Sequence, residues 1–281
     1  MTNLSDEKKT PMIAPNTPEP AKSRTVRFRI KRTDGPGKNS RWEAFDVPVE
    51  PGANVISCLQ YIAANPVTIE GKKTTPVVWD SGCLEEVCGA CSMVINGHVR
   101  QSCSCLIDQY APNDGDVITL EPMTKFPVIR DLWVDRERLF YHLRKIQAWV
   151  PIDGTYSRGP GPREDPEHQQ MRYKLSTCMS CGCCLEACPQ YTLEEHEEKW
   201  DEAFVGAAVL SQARYFNEHD TGKRLKSLRL DVLSGPGGVN DCGNAQNCVK
   251  VCPKEIPLTE SIAAIGRSTT LHSITKFFTG K

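Results

Sequence analysis

From Arg24 to Arg32 the sequence RTVRFRIKR alternates, with Val26, Phe28 and Ile30 on one side and Arg27, Arg29 and Lys31 on the other. A period of two predicts a strand with one buried face. The turn-forming segment TDGPGKNS follows, and Trp42 to Val49 supplies a second apolar run suited to pairing back as a hairpin. The period then changes. Val55, Cys58, Leu59 and Ile62 recur at helical spacing within Asn54 to Ala63, which puts Cys58 on an apolar stripe in the core rather than among ligands. Val117 to Leu120 is again strand-like, and the proline-bearing EPMTKFPVIRDLWVD leads into a helical pattern near Arg136 to Trp149, so a domain boundary is expected near residue 133. Beyond it, Leu193 to Glu218 and Thr259 to Ile265 read as helices and strand patterns almost vanish. The glycine- and proline-rich VPIDGTYSRGPGPREDPEH reads as an irregular surface loop. Residues 1 to 23 carry Pro11, Pro15, Pro18 and Pro20 without apolar period, as expected of a mobile arm. The expectation is an α+β chain: an arm over 1–23, a sheet domain over 24–133 and a helical domain over 134–281.

Length agrees: 281 residues at about 150 per domain predict roughly two domains. With 34 lysines and arginines against 35 acidic residues the formal charge is −1, so no basic field favours a nucleic acid partner. The longest apolar stretch, Ala203 to Leu210, falls far short of the roughly 20 residues that cross a bilayer. The first residues, MTNLSDEKKT, offer neither a basic nor an apolar leader region, so export is not expected. Fourteen cysteines in a chain that stays in a reducing compartment point to metal ligation, not to disulfides.

Cys83, Cys88 and Cys91, in CLEEVCGAC, have the C-x4-C-x2-C spacing of plant-type two-iron ferredoxins. Gly89 between them would let backbone amides approach the cluster sulfides. A fourth thiolate must come from further along. Asn96-Gly97 favours a two-residue type I′ hairpin turn, which brings 98–103 back beside 91–95 and sets Cys91 opposite Ser102. Cys103 then lies beside Cys91, whereas Cys105 is displaced by roughly 6.6 Å, so Cys103 is the expected ligand. Structural zinc favours two cysteine pairs over this pattern. A Rieske centre needs two histidines, and His98, the nearest, belongs at the hairpin tip.

Cys178, Cys181, Cys184 and Cys188 spell C-x2-C-x2-C-x3-C before Pro189, the bacterial ferredoxin run whose last cysteine serves a second cluster. A second Cys-Pro, Cys252-Pro253, closes the segment CGNAQNCVKVCP. There a four-iron pattern would want a cysteine at 245, and the residue is Ala245. Cys178, Cys181, Cys184 and Cys252 are therefore expected to hold [4Fe-4S], and Cys188, Cys242 and Cys248 to hold [3Fe-4S]. Cys183 has no place in the spacing and reads as a packed thiol.

These segments, with FPVIRDLWVD at the junction, resemble the iron-sulfur subunit of succinate dehydrogenase and its sibling fumarate reductase, from about Thr25 to the end of the chain. The resemblance implies a β-grasp plant-type ferredoxin domain with [2Fe-2S], then a mostly helical bacterial-ferredoxin-like domain with [4Fe-4S] and [3Fe-4S]. It implies two partners, a flavoprotein subunit with covalent FAD that oxidises succinate and a membrane anchor that binds quinone and haem b. The subunit itself would be peripheral, on the cytoplasmic face of the bacterial cell membrane, with no spanning segment and no catalytic residue of its own. Ubiquinone-linked members usually carry serine and a tryptophan pair after the Cys-Pro of the three-iron site, and histidine after its second cysteine. Here the residues are Gln190, Tyr191, Thr192, Leu193 and Gly243, closer to menaquinone-linked enzymes with a di-haem anchor.

Two other readings are weaker. A zinc-held interaction module would account for the cysteines but not for their order, and acid-labile sulfide separates the two. A self-contained enzyme lacks a nucleotide fingerprint or a nucleophile–base pair. The run EEHEEKWDE is a solvated helix face on its simplest reading.

Overall fold

The computed structural model describes residues 24–151 and 164–280. The expected arm and most of the glycine-proline loop lie outside the described residues. Five strands, β1 (Arg24–Arg32), β2 (Arg41–Val49), β3 (Ser92–Ile95), β4 (His98–Gln101) and β5 (Val117–Glu121), form one sheet in the order β2-β1-β5-β3-β4. The central pair, β1 and β5, is parallel and the other neighbours are antiparallel. The alternation in β1 does what period two requires: Val26, Phe28 and Ile30 are fully buried, and Arg27 and Arg29 are exposed. They pack against Val55, Ile56, Leu59 and Ile62 of α1 (Val55–Ala64), with Cys58 buried beside them.

Helix α1 begins at a capping box. Asn54 accepts from the Ser57 amide at 2.9 Å, and the Ser57 hydroxyl accepts from the Asn54 amide. The same Asn54 side chain donates to the Cys103 carbonyl at 3.0 Å, so the cap also fixes the cysteine loop. At the far end of β1, Arg32 and Asp131 form a fully buried ion pair at 2.8 Å, and Glu43 takes a second guanidinium nitrogen at 2.7 Å. Asp131 further accepts from the amides of Thr33 and Val78. Removing one partner of such a pair costs about 3–5 kcal/mol. This knot therefore holds the segment leading to Cys83 against the sheet.

After the short α2 (Ile107–Tyr110) and β5, the chain makes a small hairpin, β6 (Val128–Arg130) with β7 (Trp133–Val134). Leu132 packs into the first core, while Met123, Phe126 and Val134 join a second core. That second core is helical: α3 (Glu137–Lys145), α4 (Pro166–Ser176), α5 (Cys183–Glu186), α6 (Gly206–Glu218), α7 (Lys226–Ser234), α8 (Asn247–Lys250) and α9 (Leu258–Thr279). Helix α6 runs through its centre, with Ala207, Ala208, Val209, Leu210 and Ala213 buried.

Four sequence expectations need correction. The helix expected over Leu193 to Glu218 is only its second half, α6; residues 193–205 are an irregular segment with one short 3-10 turn. The helix expected over Arg136 to Trp149 stops at Lys145, and that expected over Thr259 to Ile265 continues to Thr279. The end of the expected loop is helical, because Asp165 caps the amides of Glu167 and His168 and Pro166 occupies the first turn. No described helix is long and apolar enough to cross a membrane.

Candidate metal centres

The loop from Cys83 to Cys91 is wound by positive φ at Leu84 (61°), Glu86 (55°) and Gly89 (72°), which turns its amides inward. Cys83 Sγ accepts from the amides of Glu85, Val87 and Cys88 at 3.2–3.3 Å, Cys88 Sγ from those of Cys83 and Ala90 at 3.4 Å, and Cys103 Sγ from that of Glu86 at 3.3 Å. Such donors favour the charged form, and those on Cys83 pull it down to about 7. Cys91 is buried, which pushes its thiol up to about 12. The hairpin turn has φ of 49° at Asn96 and 78° at Gly97, as a type I′ turn requires. Its register pairs Ser92 with Gln101, and the Ser102 amide donates to the Cys91 carbonyl at 3.1 Å. Cys103 is thereby delivered to Cys91. Cys105 lies fully buried in the first core with Cys58, and burial pushes both up to about 11.

The second group divides in two. Cys178, Cys181, Cys184 and Cys252 line one cavity together with Met179, Gly182 and Ala208. Cys184 is raised well above an ordinary thiol, by burial first and then by the neighbouring Cys181, Cys178 and Cys252. Cys188, Cys242 and Cys248 line a second cavity, whose wall also includes Ala245. Asn244 (52°) and Gln246 (60°) both have positive φ, so the loop bends sharply on either side of Ala245. Helix α5 carries Cys184 and ends shortly before Cys188, and it is tied to the segment after β5: Glu186 accepts from the amides of Thr124 and Lys125, and Lys125 donates to the Cys188 carbonyl. Cys183, fully buried, lines neither cavity; its thiol bonds Ser92 and Gln101 and reaches the neighbouring Cys181.

Sequence reasoning missed what holds the first and second groups together. A Cβ at Gly89 would lie 2.6 Å from the Met179 carbonyl oxygen and 2.9 Å from Cys181 Cα, so the two cysteine loops meet backbone to backbone there. The glycine serves that approach as well as the winding of its own loop. Arg136 clamps the junction, donating to the carbonyls of Gly89 at 2.6 Å and Ser180 at 3.3 Å. Gly89→Ala forces backbone apart at positive φ, so we expect it to release iron from both loops and to destabilise the chain by at least the roughly 1–3 kcal/mol of local backbone strain. Iron per purified chain and the unfolding midpoint measure this; unchanged values for both contradict the close approach.

Among the described residues no group of three or more His, Cys, Asp or Glu closes to single-ion distances. Thiols gathered in one loop and two cavities, with amides directed at sulfur in the loop, fit iron-sulfur clusters. Comparison with known proteins points the same way. Residues 27–141 match the family described as the 2Fe-2S iron-sulfur cluster binding domain, and residues 174–256 the 4Fe-4S dicluster domain. The chain is 53% identical over 258 residues to the succinate dehydrogenase iron-sulfur subunit of Bacillus subtilis, covering 92% of this chain and 98% of that one. It is 31% identical over 191 residues to the fumarate reductase iron-sulfur subunit of Wolinella succinogenes, covering 67% and 76%. Its fold is similar to that of a chain in the Mycobacterium smegmatis Sdh1 complex in the apo form, with TM-score 0.71, 22% identity, and 88% and 96% of the two chains covered.

Proposed function

The chain belongs to the family of succinate dehydrogenase and fumarate reductase iron-sulfur subunits, and we propose that it carries electrons from the FAD of a flavoprotein subunit through [2Fe-2S], [4Fe-4S] and [3Fe-4S] clusters to quinone. The division of labour follows the chain: the sheet domain (24–133) holds the first cluster and the helical domain (134–281) the other two. Cys83, Cys88, Cys91 and Cys103 would ligate [2Fe-2S]; Cys178, Cys181, Cys184 and Cys252 would ligate [4Fe-4S]; Cys188, Cys242 and Cys248 would ligate [3Fe-4S]. When bound, the clusters supply one-electron chemistry, and the protein supplies thiolates, amide donors and exclusion of water.

The observation that carries the reading is the junction at Gly89. Two thiol loops from different domains meet backbone to backbone, and helix α5 carries Cys184 of the four-thiol cavity and ends shortly before Cys188 of the three-thiol cavity. A zinc-held module has no need of such a chain of adjoining sites. The greater identity to a succinate dehydrogenase subunit than to a fumarate reductase subunit favours succinate oxidation as the physiological direction. Gln190, Tyr191, Thr192, Leu193 and Gly243, where ubiquinone-linked members usually carry serine, a tryptophan pair and histidine, favour menaquinone. Partners are then a flavoprotein with covalent FAD and a membrane anchor with haem b, the chain lying peripherally on the cytoplasmic face.

The purified complex is expected to contain acid-labile sulfide and three electron paramagnetic resonance (EPR) signatures; thiolate-bound zinc without sulfide overturns the reading. In the same assay Cys103→Ser removes or shifts the two-iron resonance and Cys105→Ser leaves it in place. The reverse pattern overturns the ligand choice.

A further inference from the structure

Between the first and second thiol groups lies a buried polar cluster that ligation alone does not require. Gln101, the last residue of β4, is fully buried, as is Cys183, and Ser92 is 4% exposed. Gln101 Nε2 donates to Ser92 Oγ at 2.6 Å and to Cys183 Sγ at 3.5 Å, while its Oε1 accepts from Cys91 Sγ at 3.4 Å. Ser92 Oγ in turn donates to the carbonyl of Cys181 at 2.8 Å and that of Gly89 at 3.1 Å. One amide therefore touches a proposed ligand of the two-iron centre and, through Ser92 and Cys183, the loop of the four-iron centre. Burying a glutamine here costs desolvation unless every polar atom is paired, so the position calls for a reason.

The chemistry of Cys91 supplies one. A thiol donates its proton to Gln101 Oε1, but a sulfur bonded to iron has no proton and only accepts. The oxygen would then face a negative sulfur at 3.4 Å, which is repulsive. Turning the amide over exchanges Nε2 and Oε1 with little change of shape. The N–H now donates to Cys91 Sγ, and Oε1 accepts the Ser92 hydroxyl proton, which turns away from the Cys181 and Gly89 carbonyls, while the Cys183 thiol donates to Ser92 Oγ.

We propose that Gln101 is a positioning residue for electron transfer: its amide N–H donates to the Cys91 sulfur of the two-iron centre and raises that centre's potential. The inference rests on the reading of Cys91 as a two-iron ligand. A hydrogen bond to a ligating sulfur offsets negative charge and favours the reduced cluster. The local dielectric is low, so the effect is not screened by water.

The test is a redox titration of the two-iron EPR signal in the complete complex carrying Gln101→Met, which keeps length and loses the N–H. The expected result is full iron and sulfide content, an unchanged four-iron potential, and a two-iron potential lowered by an about tenfold shift in the one-electron equilibrium, about 59 mV. An unchanged two-iron potential with the signal intact overturns the inference and leaves the ligand reading standing. Absence of the two-iron signal in the unaltered complex overturns the ligand reading itself. Should the methionine variant lose the cluster, pulsed EPR of unaltered complex labelled with amide-15N glutamine decides: a 15N coupling to the reduced two-iron centre supports the hydrogen bond, and its absence overturns it.

Discussion

Cys184→Ala is expected to abolish the four-iron EPR signal and to leave the helical domain unable to fold stably, while Cys183→Ala keeps iron and sulfide at the level of the unaltered chain. The two thiols are adjacent in sequence and both buried, yet only Cys184 lines the four-thiol cavity. Cys184 lines the cavity with Cys178, Cys181 and Cys252, whereas Cys183 points toward Ser92 and Gln101. A charged thiol is costly at Cys184, which is buried and is raised further by Cys181, Cys178 and Cys252 beside it. Only iron makes that crowding favourable. Bound structural metal contributes on the order of 10 kcal/mol to the folding of small metallodomains, against a total stability of roughly 5–15 kcal/mol for a domain. The core around α6 packs directly on this cavity, so losing the cluster removes the packing as well. Cys183→Ala deletes one sulfur and its weak hydrogen bonds to Gln101, Ser92 and Cys181, a change of about 1–3 kcal/mol. Signal lost from Cys183→Ala and retained in Cys184→Ala contradicts the ligand assignment.

Spacing alone separated those two cysteines, and the same holds for the sheet. In β1 the side chains alternate over nine residues, and period two leaves no other element open to them. The hairpin at Asn96-Gly97 was legible because only a residue pair tolerant of positive φ fits a type I′ turn, and register then follows by counting. Local rules suffice where local interactions decide.

They fail over residues 193–205, where apolar residues recur at helical spacing but the backbone is claimed by another element. Arg138 on α3 donates to the carbonyls of Thr192 and Phe204, His142 Nε2 bonds that of Trp200, and Lys145 donates to that of Asp201. Carbonyls engaged by side chains from 54–66 residues away are not available in the usual way to a helix of their own. Burial holds His142 neutral, down to about 4, so this arrangement persists across ordinary pH. Asp165-Pro166, by contrast, was a readable helix start hidden only by the glycines and prolines before it. The junction of Gly89 with Cys181 and the Gln101 cluster join residues 82–92 apart in sequence, beyond any period or spacing. A glutamine two residues before a ligand was the one visible trace.

Ala245→Cys is expected to convert some or all of the [3Fe-4S] EPR signal of the oxidised complex into a second four-iron centre. Ala245 lines the cavity of Cys188, Cys242 and Cys248, and the positive φ of Asn244 and Gln246 turns the loop around it. A thiol there is the fourth ligand that a corner iron lacks, and the methyl group of alanine offers no donor of any kind. Gln190 and Asn247 also line the cavity, but both are neutral amides and neither supplies a thiolate. Conversion takes up one iron(II) together with the new thiolate, so the couple becomes that of a four-iron centre, whose potential is expected to be lower. Electron delivery to quinone then slows, because the last carrier has become harder to reduce. Succinate oxidation followed with an artificial acceptor at the flavin continues, since that chemistry belongs to the partner subunit. The two assays on one preparation separate a change of potential from a failure of assembly: both rates fall together if the complex is not assembled, and only quinone reduction falls if the centre has been converted. An unaltered complex isolated without oxygen and then oxidised under control must show the three-iron signal. Its absence there refutes the assignment of Cys188, Cys242 and Cys248 to one three-iron site.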